Sequence, residues 1–168
     1  MSTSAELRTV GYADPVAQLL IERVQQEYVV RYGGRDAAVV DPAEFSPPRG
    51  LFLVAEVDGV AAGCGGWRAH CSGVAELKRM YVESAFRRRG IAALLLTELE
   101  RSAAAAGHRH LLLNTGDRQP EALALYGRAG YTPVAGYGVY ADSPGAVFLG
   151  KDLPAAPADE LEEDAWAS

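Results

Sequence analysis

Between Val74 and Gly116 the sequence changes period twice, and few architectures accommodate that. "VAELKRMYV", residues 74–82, reads as a strand, "IAALLLTELERSAAAAG" as a helix opening at Ile91, and "HRHLLLNTG" as a second strand. Joined by short links, such a unit is a crossover, so two strands of one sheet must run parallel. In the first strand Glu76, Lys78, Met80 and Val82 share one face, and Leu77, Arg79 and Tyr81 the other. In the helix Ile91, Leu94, Leu95 and Leu99 form the apolar stripe, and the element ends near Gly107. The leucines at 111–113 predict a second strand buried on both faces.

The flanking sequence supplies antiparallel partners. Leu7–Val10 reads as a short strand, and Asp14 followed by Pro15 is a helix start. Val16, Leu20, Val24 and Tyr28 mark the buried face of that helix, and Gly33 and Gly34 end it. Residues 36–48, with prolines at 42, 47 and 48, lose all periodicity and read as a surface loop of the kind that faces substrate. Asp58-Gly59 joins strands over 51–57 and 60–68. Pro120 starts a last helix through Ala122, Leu125 and Tyr126, ended by Gly130, and two strands follow over 131–140 and 145–153. The expectation is an α+β fold: one mostly antiparallel sheet with helices on both faces and one parallel strand pair. Its 168 residues suffice for a single core, with one domain over 1–153.

Charge narrows the partners. The net charge is −6, but residues 154–168 carry five carboxylates and no Lys or Arg, which leaves −1 on the rest of the chain. A near-neutral body with an acidic, mobile tail gives no electrostatic reason for a nucleic acid or an anionic membrane as partner. Leu161 and Trp166 leave room for a tail helix docking on a second copy, so a homodimer stays open. Cys64 and Cys71 form no CxxC pair, and His70, His108 and His110 have no ligand spacing, so neither a disulfide nor a metal is expected. With no basic leader and no apolar run near the roughly 20 residues that span a bilayer, a cytoplasmic protein is expected.

The chemistry concentrates at "FRRRGIAALLLTELE", residues 86–100. A helix N-terminus offers unpaired N–H groups and the positive end of its dipole, a site for phosphate when no side chain blocks the approach. Gly90 and Ala92 leave that approach open, and Arg87, Arg88 and Arg89 can add bidentate contacts to phosphate oxygens. A pyrophosphate fits residues 87–92. GxxxxGK[ST] is absent, and no GxGxxG follows a strand, so neither a P-loop nor a dinucleotide fold supplies it.

These residues resemble the GNAT superfamily of N-acetyltransferases. Its coenzyme A signature, [Q/R]-x-x-G-x-[G/A], is met by Arg87-Arg88-Arg89-Gly90-Ile91-Ala92, between a strand end and a helix start. A second pattern, A-x-x-x-Y-x-x-x-G-[F/Y], is met by Ala122, Tyr126, Gly130 and Tyr131. Where the family often carries Asn three positions before that alanine, this chain has Gln119. The resemblance spans about residues 5–152 and implies a GNAT-like acyl-CoA N-acyltransferase fold whose parallel strands, 74–82 and 109–114, splay around acetyl-CoA. The pantetheine arm would pair with the backbone of Met80, Tyr81 and Val82, with Asn114, Gln119 and Ala122 as further cofactor contacts.

Acetyl transfer to an amine needs a base, an oxyanion donor and a proton for the departing thiolate. By family pattern Glu76 is the base and Tyr126 the acid, with a backbone N–H near Met80 for the oxyanion. The less favoured reading makes Glu76 an edge-strand surface carboxylate paired with Lys78 or Arg79, and Tyr126 an aromatic packed on the sheet. Cys64 reads as a small core residue, so direct transfer in a ternary complex is favoured over an acetyl-cysteine. Tyr28, Tyr32, Trp67, Arg68 and Tyr137 are candidates for the acceptor cleft. A small-molecule amine is the expected acceptor. The alternatives are a protein N-terminus or lysine, or a non-catalytic acyl-CoA binding module.

Overall fold

In the computed structural model of the chain, which describes residues 4–155, Asp14 caps the first helix as its position predicts. Its carboxylate accepts from the N–H groups of Val16 and Ala17 at 2.9 and 3.1 Å, and Pro15 takes the first helical position. The helix, α1, spans Pro15–Tyr32 and closes on Gly33, whose φ of 80° is the left-handed conformation that glycine adopts without strain. Most of the acidic tail expected over 154–168, with Leu161 and Trp166, lies outside the described residues.

The strands are β1 (Glu6–Thr9), β2 (Gly50–Val57), β3 (Val60–Cys71), β4 (Val74–Val82), β5 (His110–Gly116), β6 (Thr132–Pro133) and β7 (Ala146–Asp152). Two further helices are α2 (Ile91–Ala105) and α3 (Pro120–Arg128). The sheet order is β1-β2-β3-β4-β5-β7-β6, and only β4 and β5 run parallel. This is the mixed sheet that the crossover required.

Each face of the sheet has its own core. On one, Leu95, Leu96, Leu99 and Ala103 of α2 pack with Leu77, Leu111, Leu113 and Tyr126. On the other, Leu20 and Ile21 of α1 pack with Phe45, Phe52, Val54 and Cys64. Each fully buried Leu or Phe contributes about 1.5–3 kcal/mol, so the two layers fix both helices on the sheet. Phe45 belongs to a 3₁₀ turn, Pro42–Phe45, inside the expected loop; Asp41 and Glu44 close it as a capping box. Gly66 is a packing glycine, since a Cβ there would meet the Phe52 ring and the Leu51 carbonyl.

Three expectations are corrected. Leu94 is 41% exposed, and Leu96 takes its place in the stripe because α2 is buried toward β3 and β4. The hairpin's second strand runs to Cys71 rather than 68. Residues 131–140 are not one strand: Thr132–Pro133 pairs with β7, the pairing ends with the Val134 N–H on the Phe148 carbonyl at 3.0 Å, and Gly138–Tyr140 forms a 3₁₀ turn. Pro133 has no N–H to donate, and Gly138 turns the chain at a φ of 69°.

Candidate active site

The parallel pair is short. β4 and β5 are in register only at Val74↔His110, Ala75↔Leu111 and Glu76↔Leu112, and then the strands part. The cause lies in β4, where Arg79 has a φ of 62° and the pairing with β3 shifts between Cys64 and Gly66. Such a bulge turns the strand and directs two consecutive side chains to one side. Lys78 and Arg79 accordingly both reach Asp36, in the segment after α1. The opening is a cleft of about 710 Å³, walled by Leu77–Met80, Leu113–Gln119, Ala122 and Tyr126, with Tyr28, Tyr32, Asp36 and Tyr140 facing them.

The edge of β4 turned toward this cleft lacks a partner strand from Leu77 onward among the described residues, so its backbone groups are open to an extended amide chain. Of the cofactor candidates, Met80, Asn114, Gln119 and Ala122 line the cleft. Tyr81 and Val82 do not line it; they are paired with Cys64 and Gly63 of β3. Gln119 Nε2 donates to the Tyr32 hydroxyl at 3.2 Å.

Residues 87–92 lie beyond the cleft, where the chain leaves β4 for α2. Gly90 stands at the helix N-cap with a φ of 77°, no side chain caps the helix, and a Cβ at Gly90 would meet nothing within 4 Å. The first-turn N–H groups of Ile91 and Ala92 therefore have no capping side chain, as an anion site requires. The three arginines differ. Arg87 donates to the Val82 carbonyl at 3.0 Å and pairs with Glu27 of α1, and Arg89 lies over the Phe86 ring at 5.3 Å. Arg88, at a φ of 66°, makes no side-chain bond among the described residues.

Tyr126 lines the cleft wall although its whole side chain is only 6% exposed. Burial pushes its phenol pKa well above the ordinary value, so at neutral pH the hydroxyl is a proton donor. Glu76 is the last residue of β4 in register with β5, at the point where the strands part. It is 6% exposed, its carboxylate accepts from Arg68 Nε at 3.0 Å, and it is not part of the cleft wall. Beside it lies the buried hydroxyl of Tyr137, with no partner at good hydrogen-bond geometry. Burial first, and the Glu76 charge second, push that phenol up as well.

The expected acceptor residues separate into two groups. Tyr28 and Tyr32 are on the wall, and burial raises the Tyr28 phenol. Trp67 is not: it is 2% exposed, its indole N–H donates to Ser102 Oγ at 3.1 Å, and it stacks edge-on against His108. It faces α2 because it sits opposite Leu77 on the buried side of β3. Arg68 points to the other face but is engaged by Glu76, Glu44 and the Val39 carbonyl. Tyr137 packs between His70 and Phe148 behind the wall, whereas Tyr140 is on it.

Sequence reasoning passed over Asp36, Lys78 and Arg79 as cleft residues. The Asp36 Oδ2 accepts from Lys78 Nζ at 3.2 Å and from Arg79 Nη1, and Oδ1 accepts from the Ala38 N–H at 2.9 Å. Burial alone would raise this carboxyl, but Lys78, the Ala38 N–H and Arg79 together hold it below the ordinary aspartate value. The one signal for it was its place in an aperiodic segment beside a helix end.

Among the described residues no group of three or more His, Cys, Asp or Glu is placed to hold a metal ion, and no helix is long and apolar enough to cross a membrane. Comparison with known proteins gives a consistent result. The sequence model of the Acetyltransferase (GNAT) family matches residues 17–131. An IAA acetyltransferase of Azospirillum brasilense is 34% identical over 141 residues, which cover 83% of this chain and 92% of that protein. A solved structure from Klebsiella pneumoniae, classed as an acyl-CoA N-acyltransferase, superposes with a TM-score of 0.76 at 27% identity over 91% of this chain and all of that one. The paia N-acetyltransferase of Thermoplasma acidophilum, solved with coenzyme A, shares the fold with a TM-score of 0.66 at 19% identity, covering 89% of this chain and 99% of that one.

Proposed function

The chain belongs to the GNAT family of acetyltransferases, and from that membership we propose that it moves the acetyl group of acetyl-CoA to a primary amine of a small molecule by direct attack in a ternary complex. Acetyl-CoA supplies the acetyl group as an activated thioester. The residues present fit it: the open edge of β4 suits an extended amide arm, and the uncapped start of α2 at Gly90 suits a pyrophosphate. Arg88 is the arginine free to turn toward that phosphate, while Arg87 holds the loop to α1 through Glu27.

The observation that carries the reading is Tyr126. A phenol kept protonated by burial, on the wall of the cleft where β4 and β5 part, can give its proton to the departing thiolate. A module that only bound acyl-CoA would have no use for it. Glu76 stands at the fork of the two strands and takes the proton of the amine, through water because its own carboxylate is held by Arg68 behind the wall. A small acceptor is supported by the fastening of the end of α1 to the loop after β5, which joins two segments of the cleft wall through Arg31 and Arg118.

Thiol release from acetyl-CoA against a panel of amines tests this. We expect turnover in the native chain and a loss of about 10²–10⁴-fold in kcat for Tyr126→Phe, with acetyl-CoA affinity kept. Coenzyme binding with no turnover of any amine would favour a binding module and sink the enzyme reading.

A further inference from the structure

The floor of the cleft carries more positive charge than its own carboxylates balance. The side chains of Lys78 and Arg79 are only 10% and 4% exposed, and both bond the same oxygen, Asp36 Oδ2. Arg79 spends its Nε on a neutral acceptor, the Tyr12 hydroxyl, at 3.3 Å. The other charges of the wall do not redress this. Arg35 is paired with Glu22 on the outside of α1, Arg118 is turned onto the Arg31 carbonyl, and Asp117 lies against Gly145 on the loop after β5. Two nearly buried cations share one carboxylate in a chain whose net charge is −6, so the surplus is local rather than general. A buried cation without a full counter-charge is costly, and an incoming anion relieves that cost.

On the acetyl-transfer reading, on which this inference rests, the cosubstrate does not provide that anion. Its phosphates belong at Gly90, outside the cleft, and the arm that enters along β4 is uncharged. We propose that the acceptor is an amine that also bears a carboxylate, and that Lys78 and Arg79 bind that carboxylate and so select it. Asp36 fixes the two cations in place by accepting from both, and Tyr28 and Tyr140 give the acceptor flat aromatic walls. A fork of guanidinium and ammonium donors suits the two oxygens of a carboxylate.

The test uses matched pairs, amino acids and their carboxamides, in the thiol-release assay. For the acid over the amide we expect a kcat/KM ratio of about ten- to a hundredfold, which falls toward one in Lys78→Met and persists in Lys78→Arg. Apart from turnover, calorimetric titration of the full chain with coenzyme A bound should show benzoate binding and benzamide not, with the benzoate signal lost in Lys78→Met. Amides used as well as acids, a ratio untouched by Lys78→Met, or equal binding of benzoate and benzamide would each overturn the proposal. If acetyl-CoA binds and no acceptor releases thiol, the acetyl-transfer reading fails, and the benzoate titration still decides whether the cleft holds a carboxylate.

Discussion

Arg31 and Arg118 exchange side-chain-to-carbonyl hydrogen bonds beside the cleft: Arg31 Nη1 donates to the Arg118 carbonyl at 2.7 Å, and Arg118 Nη1 donates to the Arg31 carbonyl at 3.0 Å. One arginine ends α1 and the other lies in the link from β5 to α3, so the exchange ties together the two elements that the splay of β4 and β5 leaves apart. Tyr32 and Gln119 continue the contact one residue further along each segment.

Replacing Arg118 by Ala removes half of the exchange and leaves the Arg31 carbonyl to water. Both groups reach solvent, so the expected loss is about 1 kcal/mol, and the melting temperature should hardly move. Because the loop carries Gln119 and leads to the Tyr126 helix, KM for acetyl-CoA should rise about fivefold. Steady-state kinetics beside a thermal melt check this, and an unchanged KM would mean that the two segments are held without the exchange.

Variants of Gly90 separate backbone strain from the phosphate recognition proposed for this turn. Gly90→Ala places a Cβ in open space at a φ of 77°, so only the left-handed conformation costs, about 1–2 kcal/mol. Gly90→Glu adds to the same strain a negative charge beside the first N–H groups of α2. Coenzyme A affinity, measured by calorimetry, should fall at least about tenfold further in Gly90→Glu than in Gly90→Ala. Equal affinities for the two variants would remove the phosphate from this turn.

How far the sequence discloses this site depends on whether each part is local. Gly90, with its helix start, and Tyr126, with its spacing to Gly130, are contiguous patterns, and their elements formed where the pattern placed them. Trp67 was open to misreading because β3 is buried on both faces, by α2 on one and by Phe45 and Phe52 on the other. With both faces apolar, alternation marks no side as the cleft. The Asp36, Lys78 and Arg79 cluster was illegible for a different reason: it joins an aperiodic segment to a bulge more than forty residues away, and the bulge appears only once β3 and β4 pair out of phase. The short β6 shows the limit of composition, since "YTPVAGYGVY" is rich in strand formers and yet Pro133 and Gly138 break it.

Glu76→Gln distinguishes a base from a strut. Gln keeps an acceptor for Arg68 Nε, so the fold should tolerate it, while the variant cannot take a proton. The expected result is a kcat reduced about 10²-fold or more with KM for acetyl-CoA unchanged. A lowered melting temperature with native kcat would assign Glu76 to holding Arg68 alone.

Asp36 gives the cleft a dependence on acid with a definite sign. Lys78, the Ala38 N–H and Arg79 hold its folded carboxyl below the ordinary value, so the folded state favours the ionised form. The stability it contributes is therefore complete above the unfolded aspartate value, near pH 4, and is lost as the pH falls through the lower folded value. In Asp36→Asn two nearly buried cations lose their shared carboxylate, which should cost roughly 3 kcal/mol at pH 7. The gap from the native chain should then close as the pH is lowered from about 5 toward 2, because protonation removes the same charge from the native protein. Urea unfolding midpoints at stepped pH measure that gap. A gap that keeps its size down to the lowest pH would show that the carboxylate stabilises the fold by its shape and not by its charge.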